Sequence, residues 1–140
     1  MKKLFTAALV AFVVAQLVSP ASAGFGIKGG SKAQNLAGGI TWMQNLNQNW
    51  GIEAGAEFIA SNPSLANGFI YGKYTLTRLG AMPFAVKAGF DIFSSTGSSS
   101  SSGWAGVELS NLINNPKLGF ELGANLSGTS AITAQLFYLF

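Results

Sequence analysis

The sequence predicts an all-β fold, an eight-stranded antiparallel up-and-down β-barrel whose strands are long enough to cross a membrane. Three observations carry that prediction. Apolar side chains recur at every second position within segments of about 9 to 11 residues, the length of a tilted membrane-crossing strand. Charged residues make up only 9% of the chain, against about 25% in ordinary soluble domains. The run AITAQLFYLF, residues 131 to 140, keeps the alternation up to Phe140 instead of trailing off into a polar tail.

The first 23 residues stand apart. Lys2 and Lys3 precede an apolar stretch from Leu4 to Val18, and Ser19-Pro20-Ala21-Ser22-Ala23 then supplies the small residues of a cleavage site, so residues 1–23 are expected to be a cleaved signal peptide. A membrane anchor fits less well, because the apolar run is about 15 residues and a spanning helix needs roughly 20. The expected working protein, residues 24–140, is one domain. Without Lys2 and Lys3 it has six basic and five acidic residues, which leaves no basic field for nucleic acid.

Cysteine and histidine are both absent. Disulfides, His-dependent triads, His-ligated zinc and imidazole bases are thereby excluded, and no catalytic, metal or cofactor-binding residue is expected.

Turn-rich stretches divide the remainder: SKAQN, QNLNQN, ASNPSLAN, RLGAMP, SSTGSSSSSSG, NNPK and SGTS. They predict strands at about 25–31, 36–44, 50–59, 68–77, 84–93, 103–111, 117–126 and 130–140. Alternation is clearest in three segments. Trp50, Ile52, Ala54, Ala56 and Phe58 oppose Gly51, Glu53, Gly55 and Glu57. Phe84, Val86, Ala88, Phe90 and Ile92 oppose Ala85, Lys87, Gly89 and Asp91. Leu118, Phe120, Leu122, Ala124 and Leu126 oppose Gly119, Glu121, Gly123 and Asn125.

The charged face decides the orientation. Glu53, Glu57, Asp91, Glu108 and Glu121 all oppose an apolar row, and Lys28, Lys73 and Lys87 can be placed with them. A soluble barrel would turn such residues outward; a membrane barrel turns them into its lumen. Gly51, Gly55, Gly89, Gly106, Gly119 and Gly123 share the charged face, which is odd for a solvated surface but suits a narrow interior where Glu and Lys reach across. These eight residues are therefore expected to form a neutralising lumen network, with Lys73 and Lys87 answering acids on neighbouring strands. Trp42, Trp50, Phe84 and Trp104, near strand ends, are expected in an interfacial girdle.

In the last segment Ile132, Ala134, Leu136, Tyr138 and Phe140 share one face. The ending resembles the assembly signal of bacterial outer-membrane proteins. Together with the signal peptide and the eight strands, it makes the chain similar to the small outer-membrane barrel family of OmpX and the OmpA membrane domain. That resemblance implies a bacterial outer-membrane location, and it implies outer-membrane lipids, periplasmic chaperones and the barrel-assembly machinery as partners. It names no surface ligand. The expected function is non-enzymatic, structural or cell-surface, with short outer loops apart from Phe93 to Gly103. A narrow pore for ions or small solutes and a soluble, lipocalin-like periplasmic carrier of a hydrophobic ligand are the alternatives. A lipid-modifying enzyme would need a Ser-based site in Ser98 to Ser102, where no base lies nearby in sequence.

Overall fold

A computed structural model describes residues 23–61, 63–127 and 131–140. Residues 1–22 of the expected signal peptide (1–23), residue 62 and residues 128–130 lie outside the described residues. Eight strands follow in order: β1 (Ala23–Lys32), β2 (Asn35–Asn45), β3 (Trp50–Ile59), β4 (Leu65–Leu79), β5 (Met82–Ser95), β6 (Ser98–Ser110), β7 (Leu118–Asn125) and β8 (Ile132–Leu139). Each pairs antiparallel with the next, and β1 pairs with β8 from Gly26↔Leu139 to Lys32↔Thr133, closing the barrel. Closure removes both sheet edges, and Phe140 is drawn in as well, its N–H donating to the Phe25 carbonyl at 2.7 Å.

The eight expected strands are all present; the first five connections are shorter than expected, and the last two, 111–117 and 126–131, are longer. β1 runs through Ser31 and Lys32, and Ala33 and Gln34 alone turn the chain, both at positive φ (53° and 63°). That backbone twist matches the twist of the flanking strands in a two-residue hairpin. The larger departure concerns SSTGSSSSSSG. It is a hairpin and not a loop: β5 continues to Ser95, β6 starts at Ser98, and only Thr96 and Gly97 turn, Gly97 at φ 82°. The ladder there is made by backbone groups, so a run of serines pairs once the tight turn has fixed its register.

β4 is also longer than expected and carries a register shift between Thr75 and Thr77. A 3-10 turn at Leu112–Asn114 joins β6 to β7. The connections 33–34, 60–64, 96–97 and 126–131 cluster at one end of the barrel; the other end holds the start of β1, the end of β8 and the connections 46–49, 80–81 and 111–117.

Alternate side chains point to opposite sides of the wall. Outside lie Ile27, Ile40, Phe58, Ile70, Phe90, Leu122, Ile132 and Leu136, all well exposed. Inside lie Lys28, Lys32, Glu53, Glu57, Lys87, Asp91, Glu108 and Glu121, none more than 5% exposed. Such a barrel is apolar outside and charged within, the reverse of a soluble domain.

Candidate functional site: the charged interior

The interior holds two charge clusters. The first is built on Lys28 of β1 and Lys87 of β5. Lys28 Nζ donates to Glu53 Oε1 at 2.9 Å and to Glu121 Oε1 at 2.6 Å. Lys87 Nζ donates to the other oxygen of Glu53, to Glu121 Oε2 at 2.5 Å, and lies 3.1 Å from Glu108 Oε2. Lys73 closes the set on Glu108 Oε1 at 3.0 Å, and the Thr41 hydroxyl donates to Glu53 at 2.6 Å. Three ammonium groups thus face three carboxylates. Glu53, Glu108 and Glu121 approach closely enough to share one metal ion, but the lysines already answer their charge.

The pairing differs from the expected one in its geometry. β1 and β5 each bond across the lumen to both β3 and β7, strands that are not their neighbours. In a narrow barrel a long Lys side chain reaches the strand two places away as readily as the adjacent one, and Lys87 does both, meeting Glu108 on neighbouring β6 as expected. Lys73 is the peripheral member, its side chain 16% exposed.

The second cluster lies toward the end with the short hairpin turns. Lys32 Nζ meets Glu57 Oε2 at 3.0 Å and Asp91 Oδ1 at 2.9 Å. The Tyr71 hydroxyl donates to Asp91 Oδ1 at 2.6 Å. Asn67 donates to both acids, Asn125 to Asp91 at 2.7 Å and Gln135 to Glu57 at 2.6 Å. The sequence reading puts Lys32 in a turn, sets Asn125 on the face of Glu121, and gives the tyrosine and the three amides no part in the network. Parity was the signal that could have found them: Lys32 is four residues from Lys28, and Asn67, Tyr71, Asn125 and Gln135 share parity with Lys73, Glu121 or the inner face of β8.

Aromatic rings fill the space around both clusters. Phe69 stacks on Tyr71 at 5.0 Å and Tyr71 on Trp104 at 4.4 Å, all three buried. Lys28 Nζ sits 4.6 Å from the Phe69 ring centre, and Lys87 Nζ 5.4 Å from that of Tyr71. Trp104 therefore belongs to the lumen and not to a girdle: it is fully buried, and its indole N–H donates to Thr133 at 3.1 Å. Its parity with Gly106 and Glu108 dictates this, whatever its closeness to a turn in sequence. Trp42, expected at the surface, is also covered, at 4% exposure, although it shares the outward parity of Ile40. Trp50 remains outside, against Tyr74 at 4.7 Å, and Phe84 is half-buried.

The inner glycines make room chiefly for these rings, which refines the expected role of opening space for Glu and Lys. A Cβ on Gly55 would meet Phe69, one on Gly106 or Gly123 would meet Trp104, and one on Gly119 would meet Phe137. Outside, Ile132, Leu136, Tyr138 and Phe140 are exposed and Ala134 half-buried, all on one face of the closing strand.

No known protein family matches the sequence, and no curated protein does. Among solved structures, the fold is similar to a de novo designed transmembrane β-barrel, with a TM-score of 0.60 and 14% identity over 87% of this chain and 98% of that one. A second similar structure is Ail, the attachment invasion locus protein of Yersinia pestis, at a TM-score of 0.38 and 12% identity, covering 85% and 95%. The protein is thus a closed eight-stranded antiparallel β-barrel of the transmembrane type.

Proposed function

We propose that this chain is a non-enzymatic integral outer-membrane protein with a structural or cell-surface role, built as a sealed barrel. One observation carries the reading. From residue 24 onward every charged side chain except Arg78 and Lys117 lies in the interior, and those two sit at the end that holds the start of β1 and the end of β8. The wall between is uncharged, as hydrocarbon requires. The soluble carrier alternative needs the apolar rows inside, whereas Ile40, Ile70, Phe90 and Leu122 point outward.

Sealing is supported by the interior itself, where Phe69, Tyr71, Trp104 and Phe137 fill the space between charged side chains. A pore would have to break the cross-lumen pairs of Lys28 and Lys87. Short hairpins leave little surface beyond the wall, which favours a structural role over a broad adhesive one. Biogenesis through periplasmic chaperones and the barrel-assembly machinery rests on the alternating face that ends in Tyr138 and Phe140, and outer-membrane lipids are the proposed solvent of the wall.

Cell fractionation tests the location. Retention in the outer-membrane fraction until detergent is added is the expected result; release on osmotic shock would refute it. Planar-bilayer recording tests the seal, and a discrete, reproducible conductance would replace it with the pore.

A further inference from the structure

The two clusters differ in charge. In the first, Lys28, Lys73 and Lys87 balance three carboxylates. In the second, Lys32 alone faces Glu57 and Asp91, so the closed interior is left with an excess of one negative charge. An uncompensated buried charge is expensive, and interiors supply a counter-ion where they can.

A second observation is independent of that count. The carboxamides of Asn67, Asn125 and Gln135 each spend an N–H on Glu57 or Asp91, and each leaves its oxygen buried with no hydrogen-bond partner among the described residues. The three side chains are 1%, 4% and 1% exposed. A buried acceptor without a partner is costly, and here three of them belong to side chains bonded to the two acids that carry the surplus charge. Oxygen acceptors beside carboxylates, without nitrogen or sulfur, are the donor set of a hard cation.

There is also a way in. A cavity of about 480 Å³ opens at the hairpin end, lined by the Ser98 to Ser102 run, and Asn125 is part of its lining. The same Asn125 is hydrogen-bonded to Asp91, so it joins the cavity to the cluster.

We propose that the Glu57–Asp91 cluster is a binding site for one monovalent hard cation of the sodium class, taken up through the serine-lined cavity and held by the free amide oxygens. A single positive charge brings the cluster to neutrality, whereas a divalent ion would overshoot it. This goes beyond the sealed-barrel reading, because a bound ion closes the interior and need not pass through it.

The test uses the purified chain folded in detergent micelles. At constant ionic strength, replacing N-methylglucamine chloride by sodium chloride is expected to raise the thermal midpoint saturably, and dialysis against radiolabelled sodium to give one ion per chain. Asp91→Asn leaves Lys32 balanced by Glu57 alone and is expected to abolish both effects. Asn125→Asp keeps the shape and adds a negative charge, so it is expected to bind calcium about tenfold or more tightly than the parent chain, since ligand charge sets calcium affinity. This second variant keeps the test decisive if Asp91→Asn fails to fold. Equal midpoints in the two salts, a sodium effect that survives Asp91→Asn, or no gain in calcium binding by Asn125→Asp would each overturn the proposal.

Discussion

Replacing Lys87 by Met probes the interior at its most connected point. Its ammonium meets Glu53, Glu108 and Glu121, and its side chain is fully buried. Without it Glu53 keeps Lys28 and Thr41, Glu121 keeps only Lys28, and Glu108 keeps only Lys73. Two cations then face three carboxylates in a closed space. Breaking a buried pair by removing one partner costs about 3–5 kcal/mol, which lowers the folded-to-unfolded ratio about a hundredfold or more. Lys73→Met is the internal control. It loses one partner at a site in contact with solvent, and Glu108 retains Lys87, so about 1 kcal/mol is expected. Urea titration in lipid vesicles, read by the shift in gel mobility between unboiled and boiled samples, measures both. Adding Glu121→Gln to Lys87→Met restores the balance at two against two and is expected to recover about 1–2 kcal/mol. A loss for Lys87→Met within about 1 kcal/mol of the parent, or no recovery in the double variant, would refute the cross-lumen network as a source of stability.

Other consequences follow from the same geometry. Gly119→Ala is expected to cost about 1–3 kcal/mol by pressing on the Phe137 ring, and Phe137→Leu in the same chain to relieve it; the urea midpoint reads both. Trp104→Ala empties the stack on Tyr71 and is expected to cost about 3–5 kcal/mol in the same titration. Phe90→Lys places a charge on the outer face and is expected to lose about 2–4 kcal/mol in bilayers. In single-tryptophan variants, brominated acyl chains should quench Trp50 strongly and Trp104 weakly, and the reverse order would contradict their placement.

Much of this was legible because a strand repeats every two residues. Parity alone sorts Glu53, Glu57, Lys87, Asp91, Glu108 and Glu121 inward and Phe58, Val86, Phe90 and Leu122 outward. Two kinds of information were not in the alternation. Segment ends were read from composition, and Ser98 to Ser102 were assigned to a loop because serine carries no apolar signal; backbone pairing to Phe93 and its neighbours decides their structure instead. The same turn-rich composition hides Lys32, the cation that Glu57 and Asp91 share. Trp104 was judged by nearness to a turn when its parity already placed it beside Gly106 and Glu108. Pairing across the lumen depends on the curvature of the closed sheet, which no single strand records.

The central claim, that the apolar wall meets hydrocarbon, is tested most directly along β5. Spin labels would replace Val86, Ala88, Phe90 and Ile92 one at a time in the protein reconstituted into vesicles. Collision with lipid-soluble oxygen is expected to be high at all four, highest toward Ala88 and Phe90, with collision with a water-soluble nickel chelate low. A high chelate collision rate at those central positions would contradict it.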